Sequence, residues 1–261
     1  VLTPAQSKRL IARAIPQMDV VRNALANGMV IVCKGSTTAY VAEELLGQPI
    51  AKGAFILGRV LPKGFKPPEG LWEGTMNEVV IRKGRWVKEM GLADVIGELG
   101  AGDVIIKGAN ALDYQAGLVG HLIGHPTGGT LGTILGSIHG KGAHLVIPVG
   151  LEKLVAGSLA DVAARLRESH ADTSLPRMWI TAGIIVTEIE AIKILTGAEA
   201  VHISSGGICG AEGTVWLRVF GTNEQLDRTL DIMDQIWREP SYLEAALRAA
   251  EEEKGSGSDT T

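Results

Sequence analysis

Met29-Val-Ile-Val-Cys-Lys-Gly-Ser-Thr-Thr-Ala39 is the stretch whose reading decides the fold. A short apolar run, β-branched in its middle, reads as a buried strand over Met29–Cys33. Lys34–Ser36 turns the chain, and Thr37–Leu46 reads as a helix stopped by Gly47 and followed by Pro49. The first N–H groups of such a helix lack internal partners and point back at the turn. With the helix dipole they form a site for a phosphate or carboxylate. Gly35 lets the backbone approach an anion, Ser36, Thr37 and Thr38 offer hydroxyls, and Lys34 adds positive charge. The pattern is not a P-loop, because G-x-x-x-x-G-K-[ST] is absent.

Working outward, Leu10, Ile11, Ala14 and Ile15 recur at helical spacing and predict a helix over 4–15, reset by Pro16. Val20, Val21 and Leu25 carry a second helix to Asn27-Gly28. Strands are expected at Ala54–Val60, Asp103–Ile106 and Leu145–Val149, and a hairpin about Lys83-Gly84. Leu92–Leu99 reads as a short helix and Glu152–Ser169 as a long one. This alternation predicts an α/β fold with a doubly wound, mostly parallel sheet over residues 1–170. After Pro176 the order becomes βαββα, which resembles a small C-terminal ferredoxin-like α+β unit over 171–254, including a last helix from Pro240. Residues 255–261 read as a polar tail.

With 261 residues, 46% of them hydrophobic, the chain can bury a full core. The balance of 25 basic against 29 acidic residues, net −4, argues against nucleic-acid backbone binding. Apolar runs stop well short of the roughly 18 residues a membrane span needs. Cys33 and Cys209, without CxxC spacing, suggest free thiols in a reducing compartment, so a cytoplasmic location is expected.

Asn27-Gly-Met-Val-Ile-Val-Cys-Lys-Gly-Ser-Thr-Thr-Ala-Tyr-Val41 resembles the opening of ribose-5-phosphate isomerase A, in which a similar strand precedes a Gly-Ser-Thr phosphate loop. Asp103-Val-Ile-Ile-Lys-Gly-Ala-Asn-Ala-Leu-Asp113 is similar to that family's second motif, Asp-Gly-Ala-Asp-Glu-x-Asp after a strand. Gly128-Gly-Thr-Leu-Gly-Thr133 resembles its third. The resemblance extends in order over most of residues 5–237 and implies the fold shared with glucosamine-6-phosphate deaminases, CoA transferases and sugar-phosphate repressors. The repressor version is disfavoured, since no DNA-binding segment is read before the first strand. In the second motif Lys107 and Asn110 stand where the family has acids, and only Asp113 matches. The helix after Gly129 reads Thr133-Ile-Leu-Gly, without the catalytic Glu. The resemblance therefore implies the fold and an anion site but leaves out the isomerase carboxylates.

His121 and His125 are spaced i, i+4, yet Gly120, Gly124 and Pro126 break a regular helix, and no metal is expected. His125, beside the glycine loop, is a candidate acid/base or anion donor. Gly128–Gly140 is either glycine packing against the sheet or a ligand loop. Ser204-Ser-Gly-Gly-Ile-Cys-Gly210 reads as a hairpin connection, and Glu188 and Glu190 as solvated. The expected site comprises Lys34, Gly35, Ser36, Thr37, Thr38, Gly108, Asn110, Gly128, Gly129 and Thr130 as binding groups. Asp113, Lys107 and His125 are the candidates for chemistry. The expected ligand is a small anionic metabolite, most simply phosphorylated; no cofactor is called for, and a homo-oligomer is expected. A divergent isomerase- or transferase-like enzyme with relocated catalytic groups is the alternative.

Overall fold

The computed structural model describes residues 1–72, 74–168 and 176–248. Thr3 opens helix α1 (Pro4–Ala14) with a capping box: its hydroxyl accepts from the Gln6 N–H, and the Gln6 side chain accepts from the Thr3 N–H. Pro16 falls in a 3-10 turn, and α2 (Asp19–Asn27) comes next. Strand β1 (Met29–Val32) feeds α3 (Ser36–Leu46), which stops at the left-handed Gly47. Strands β2 (Val79–Arg82) and β3 (Arg85–Trp86) form a hairpin. Its two turn residues, Lys83 and Gly84, have φ of 44° and 76°, the double left-handed geometry that suits the twist of a two-residue hairpin.

Beyond the hairpin lie helix α4 (Leu92–Val95), strands β4 (Val104–Ile106), β5 (Ala111–Asp113) and β6 (Leu118–Ile123), and helix α5 (Gly129–Lys141). Strand β7 (His144–Pro148) leads to helix α6 (Leu159–Glu168), strands β8 (Arg177–Thr181) and β9 (Ile184–Val186) and helix α7 (Glu188–Thr196). The chain then forms β10 (Glu199–Ser205), β11 (Val215–Phe220) and α8 (Asn223–Ile236).

The central sheet has the order β3-β2-β1-β4-β7-β9. Strands β1, β4, β7 and β9 are mutually parallel, and the β2–β3 hairpin adds antiparallel to β1. Helices cover both faces. The parallel strands are accordingly near-continuous apolar runs, with Val30–Val32, Val104–Ile106 and Val146–Ile147 all fully buried. The register sets Val32 beside Ile106, Ile106 beside Val146, and Pro148 beside Val186. All four strands therefore end on one edge. A second, antiparallel sheet runs β5-β6-β8, and β10 and β11 pair with each other.

Several expectations are corrected. No strand forms over Ala54–Val60: the Phe55 N–H bonds back to Ala51 and Lys52 in a turn, and its carbonyl accepts the Gly35 N–H. The long helix expected from Glu152 is instead a 3-10 turn at Leu151–Lys153 and a separate α6, divided by Gly157, whose φ of 88° no helix accommodates. Strand β9 precedes α7 and joins the central sheet, β8 pairs with β6, and β10–β11 stand apart, so the strands after residue 176 are shared among three sheets. The expected boundary near 170–177 lies mostly in 169–175, outside the described residues, as does the tail 255–261.

One ion-pair network ties α1 to α3 and to the chain after α8. Arg9 reaches Glu43 at 2.7 Å, Glu44 at 2.8 Å and Glu239 at 2.9 Å, and its guanidinium lies over the Tyr40 ring. Lys52 is the second partner of Glu43. Removing one member of such a buried set strands its partners' charge. Arg9→Met should therefore cost about 3 kcal/mol, read as a lowered urea midpoint at unchanged slope. A loss below about 1 kcal/mol would show these pairs to be solvated.

Candidate functional site at the carboxyl edge of the parallel strands

Each parallel strand delivers polar side chains to the shared edge. After β1, Gly35 is the N-cap of α3, and a Cβ there would sit 2.9 Å from the Thr38 hydroxyl. That hydroxyl donates to the Gly35 carbonyl at 3.1 Å, and a side chain at position 35 would have to displace it. Thr38 is fully buried and Thr37 is 2% exposed, but the Thr37 hydroxyl, on the first turn of α3, has no partner among the described residues. Lys34 and Ser36 are half-buried.

After β4, the Lys107 N–H donates to the Val146 carbonyl, fixing the backbone of a half-buried lysine against β7. Gly108 fits between β7 and α3: a Cβ there would meet the Pro148 carbonyl at 3.6 Å and the Thr38 methyl at 4.0 Å. The first and second sequence motifs thus adjoin. Burial lowers the pKa of Lys107, only partly opposed by nearby Cys33. Burial in turn pushes the Cys33 thiol up to about 12, so the lysine faces a neutral thiol.

The segments after β7 and β9 add groups that the sequence did not announce. Lys153 donates to the Ala109 carbonyl at 2.7 Å, bridging the β7 and β4 loops. Burial lowers its pKa while Glu152 and Glu188 raise it. Glu188, read from sequence as solvated, is fully buried. Thr187 caps α7, and Glu188 as the first helical residue turns inward, where one oxygen accepts the Leu151 N–H at 2.9 Å and the other has no partner among the described residues. Burial and the neighbouring Glu152 push the Glu188 carboxyl up to about 7, against a smaller opposing pull from Ser7 on α1. Glu152 also keeps one buried oxygen unpartnered among the described residues. Lys8 on α1 is pulled down to about 8 by burial and by Lys153.

His121 closes the group from β6. It is 2% exposed, its Nε2 pairs with the Thr181 hydroxyl at 2.8 Å, and its Nδ1 has no partner among the described residues. Burial, then Lys107 and Lys153, bring it down to about 3, so the ring is neutral. Three lysines thus gather with two carboxyls, one of them drawn toward neutrality. None of these lysines takes part in an ion pair among the described residues. A desolvated excess of positive charge beside bare hydroxyl and imidazole groups suits an anion carrying further hydrogen-bonding groups.

The other expected site residues lie elsewhere. Asn110 is exposed, and its side-chain oxygen accepts the Leu122 N–H at 3.0 Å. Asp113, at the far end of β5, caps the next turn through the Ala116 N–H. It lines a different cavity, of about 930 Å³, with Tyr114, Leu151, Leu154, Ile189 and Val201. Gly128 and Gly129 begin α5 with φ of 85° and 55° and pack against Trp179 and His125 respectively. Thr130 is the next residue of the same helix. His125 is exposed and bonds Thr127 through Nδ1, whereas His121 faces Thr181, so the two rings have separate partners. No protein-family model, curated protein or solved structure matches this chain.

The raised Glu188 carboxyl has a consequence for stability. The folded protein holds this proton up to about pH 7, while the unfolded chain releases it near 4.5. Between those values the native state binds more protons, so stability falls as pH rises through the window. Glu188→Gln should remove that fall, which amounts to at most about 3 kcal/mol, in urea unfolding compared at pH 5 and pH 8. Identical pH slopes for the two proteins would show that Glu188 is charged throughout.

Proposed function

We propose that this chain binds a small anionic metabolite, most simply a phosphorylated one, at the β1–α3 turn. The observation that carries the reading is the Thr37 hydroxyl, buried on the first turn of α3 and without a hydrogen-bond partner among the described residues; Gly108, the neighbour of Lys107 in the chain, approaches Thr38 of the same turn. Free N–H groups at the helix start, the helix dipole and two nearby lysines, Lys34 and Lys107, supply the attraction. Lys107 makes the edge more cationic than the isomerase pattern and favours a second negative group, such as a carboxylate. Gly108 belongs to the same site by its approach to Thr38.

The resemblance to ribose-5-phosphate isomerase A and its relatives supports the same reading, through a glycine-serine-threonine turn at the end of a central parallel strand. The α7–β10–β11–α8 order that follows the central-sheet strand β9 is compatible with a divergent form of that family's small α+β domain. Homo-oligomer formation fits the exposed Val201, Ile203, Trp216 and Phe220 of β10–β11, and the free Cys33 and Cys209 fit a reducing cytoplasm. The alternative, an enzyme with relocated catalytic groups, draws support from Glu188, a buried carboxyl poised near neutral pH.

A thermal-shift series with inorganic phosphate, ribose 5-phosphate and a phosphorylated carboxylic acid tests the reading. At about 100 times Kd a ligand adds about 2.7 kcal/mol, or roughly 5–10 °C at this chain length. Thr37→Ala and Lys107→Ala should each reduce the shift, and Lys107→Ala should weaken the carboxylic acid more than ribose 5-phosphate. An equal response of wild type and both variants would place the anion elsewhere. Isomerisation of ribose 5-phosphate should be absent, since no acid occupies position 107 or 110; robust turnover would show that the catalytic carboxylate has been misplaced.

A further inference from the structure

Lys107 differs from the other lysines of the edge in its company. Lys153 is anchored to the Ala109 carbonyl and has Glu152 and Glu188 to hold its proton. Lys107 has neither an ion pair nor a side-chain hydrogen bond among the described residues. The groups that bear on it are the fully buried Cys33 thiol, the His121 imidazole and the Lys153 ammonium, two neutral groups and a cation. Its backbone is pinned between β1 and β7, because the Cys33 N–H donates to Ile106 and the Lys107 N–H to Val146. The next residue, Gly108, abuts Thr38 on the first turn of α3. A half-buried lysine set beside another cation, with no carboxylate paired to it among the described residues, is an amine able to attack.

We infer that Lys107 is a nucleophile that condenses with the carbonyl group of an aldehyde or keto compound whose phosphate or carboxylate is held at the start of α3. This rests on the anion reading above for orientation of the ligand, and assigns the site a covalent step. The Nζ lone pair forms a bond to the carbonyl carbon, and the π pair moves to oxygen. The two amine hydrogens then leave with that oxygen as water, giving an imine without oxidation or reduction. Protonation from solvent gives the iminium, an electron sink for the adjacent carbon. The lowered pKa of Lys107 leaves a larger fraction of free amine for the first step. Lys107→Arg keeps the charge and removes the chemistry.

The experiment uses the whole chain and pyridoxal 5′-phosphate, an aldehyde bearing a phosphate, with borohydride supplying the hydride that traps the imine as a stable amine. Peptide mapping by mass spectrometry then locates the label. Expected is a dominant single addition on Lys107 under limiting reagent, at least about tenfold above any other lysine, abolished by Lys107→Arg and suppressed by inorganic phosphate. Labelling of Lys107 by pyridoxal and by its phosphate alike, with no protection by phosphate, would support the nucleophile and count against the anion reading. Label scattered over surface lysines with Lys107 unmodified would overturn the proposal, and would leave the anion reading standing if phosphate still raised the melting temperature. Mapping on the unaltered protein decides the matter even if a Lys107 variant fails to fold.

Discussion

The parallel register of β1, β4, β7 and β9 is the constraint on which the rest depends. It aligns four strand ends so that Lys107, Glu152, Lys153 and Glu188 arrive together with the α3 turn. Open α/β sheets place ligand sites at this edge for a geometric reason: crossovers turn each helix away, and helix starts point their N–H groups back at it. Here the edge is covered as well. Phe55 lies over the Gly35 turn, His121 closes the site from the second sheet, and α1 brings Ser7 and Lys8 against the ends of β7 and β9.

Covering the edge changes its chemistry. Water would solvate three lysines and two carboxylates at little cost, whereas burial forces each group to find a partner, shift its pKa or await a ligand. Lys153 finds a carbonyl, Glu188 takes a single N–H and drifts toward its neutral form, and His121 stays neutral. Among the described residues the Thr37 hydroxyl, the His121 Nδ1 and one oxygen each of Glu152 and Glu188 still lack a partner, and Lys107 has no counter-charge. In folding terms they are a cost, and a bound anion would offset it.

How much of this is legible in the sequence depends on how local each feature is. The β1–α3 turn is legible because strand, glycine and helix start are contiguous, and the Lys83-Gly84 hairpin for the same reason. Lys107 is legible because it closes an apolar strand. Glu188 is not: β9 spans only Ile184–Val186, too short for periodicity to reveal, so the residue after Thr187 looks like a solvated helix position. Lys153 and Glu152 fall in a stretch that reads as one uninterrupted helix, which Gly157 breaks. Lys8 depends on a tertiary contact of α1. Motif resemblance draws Asp113 into the expected site, but β5 belongs to the second sheet and carries it about 10 Å of extended chain beyond Asn110, at roughly 3.3 Å per residue.

The central claim is that an anion belongs at the start of α3, between Thr37 and Lys107. A crystal of this protein soaked in selenate, with the selenium located by its anomalous signal, addresses it most directly. The expected result is a peak within hydrogen-bonding distance of the Thr37 hydroxyl and the Lys107 ammonium, lost on phosphate back-soak. A peak confined to surface lysines or to another helix start, with the Thr37 turn empty at saturating selenate, would contradict it.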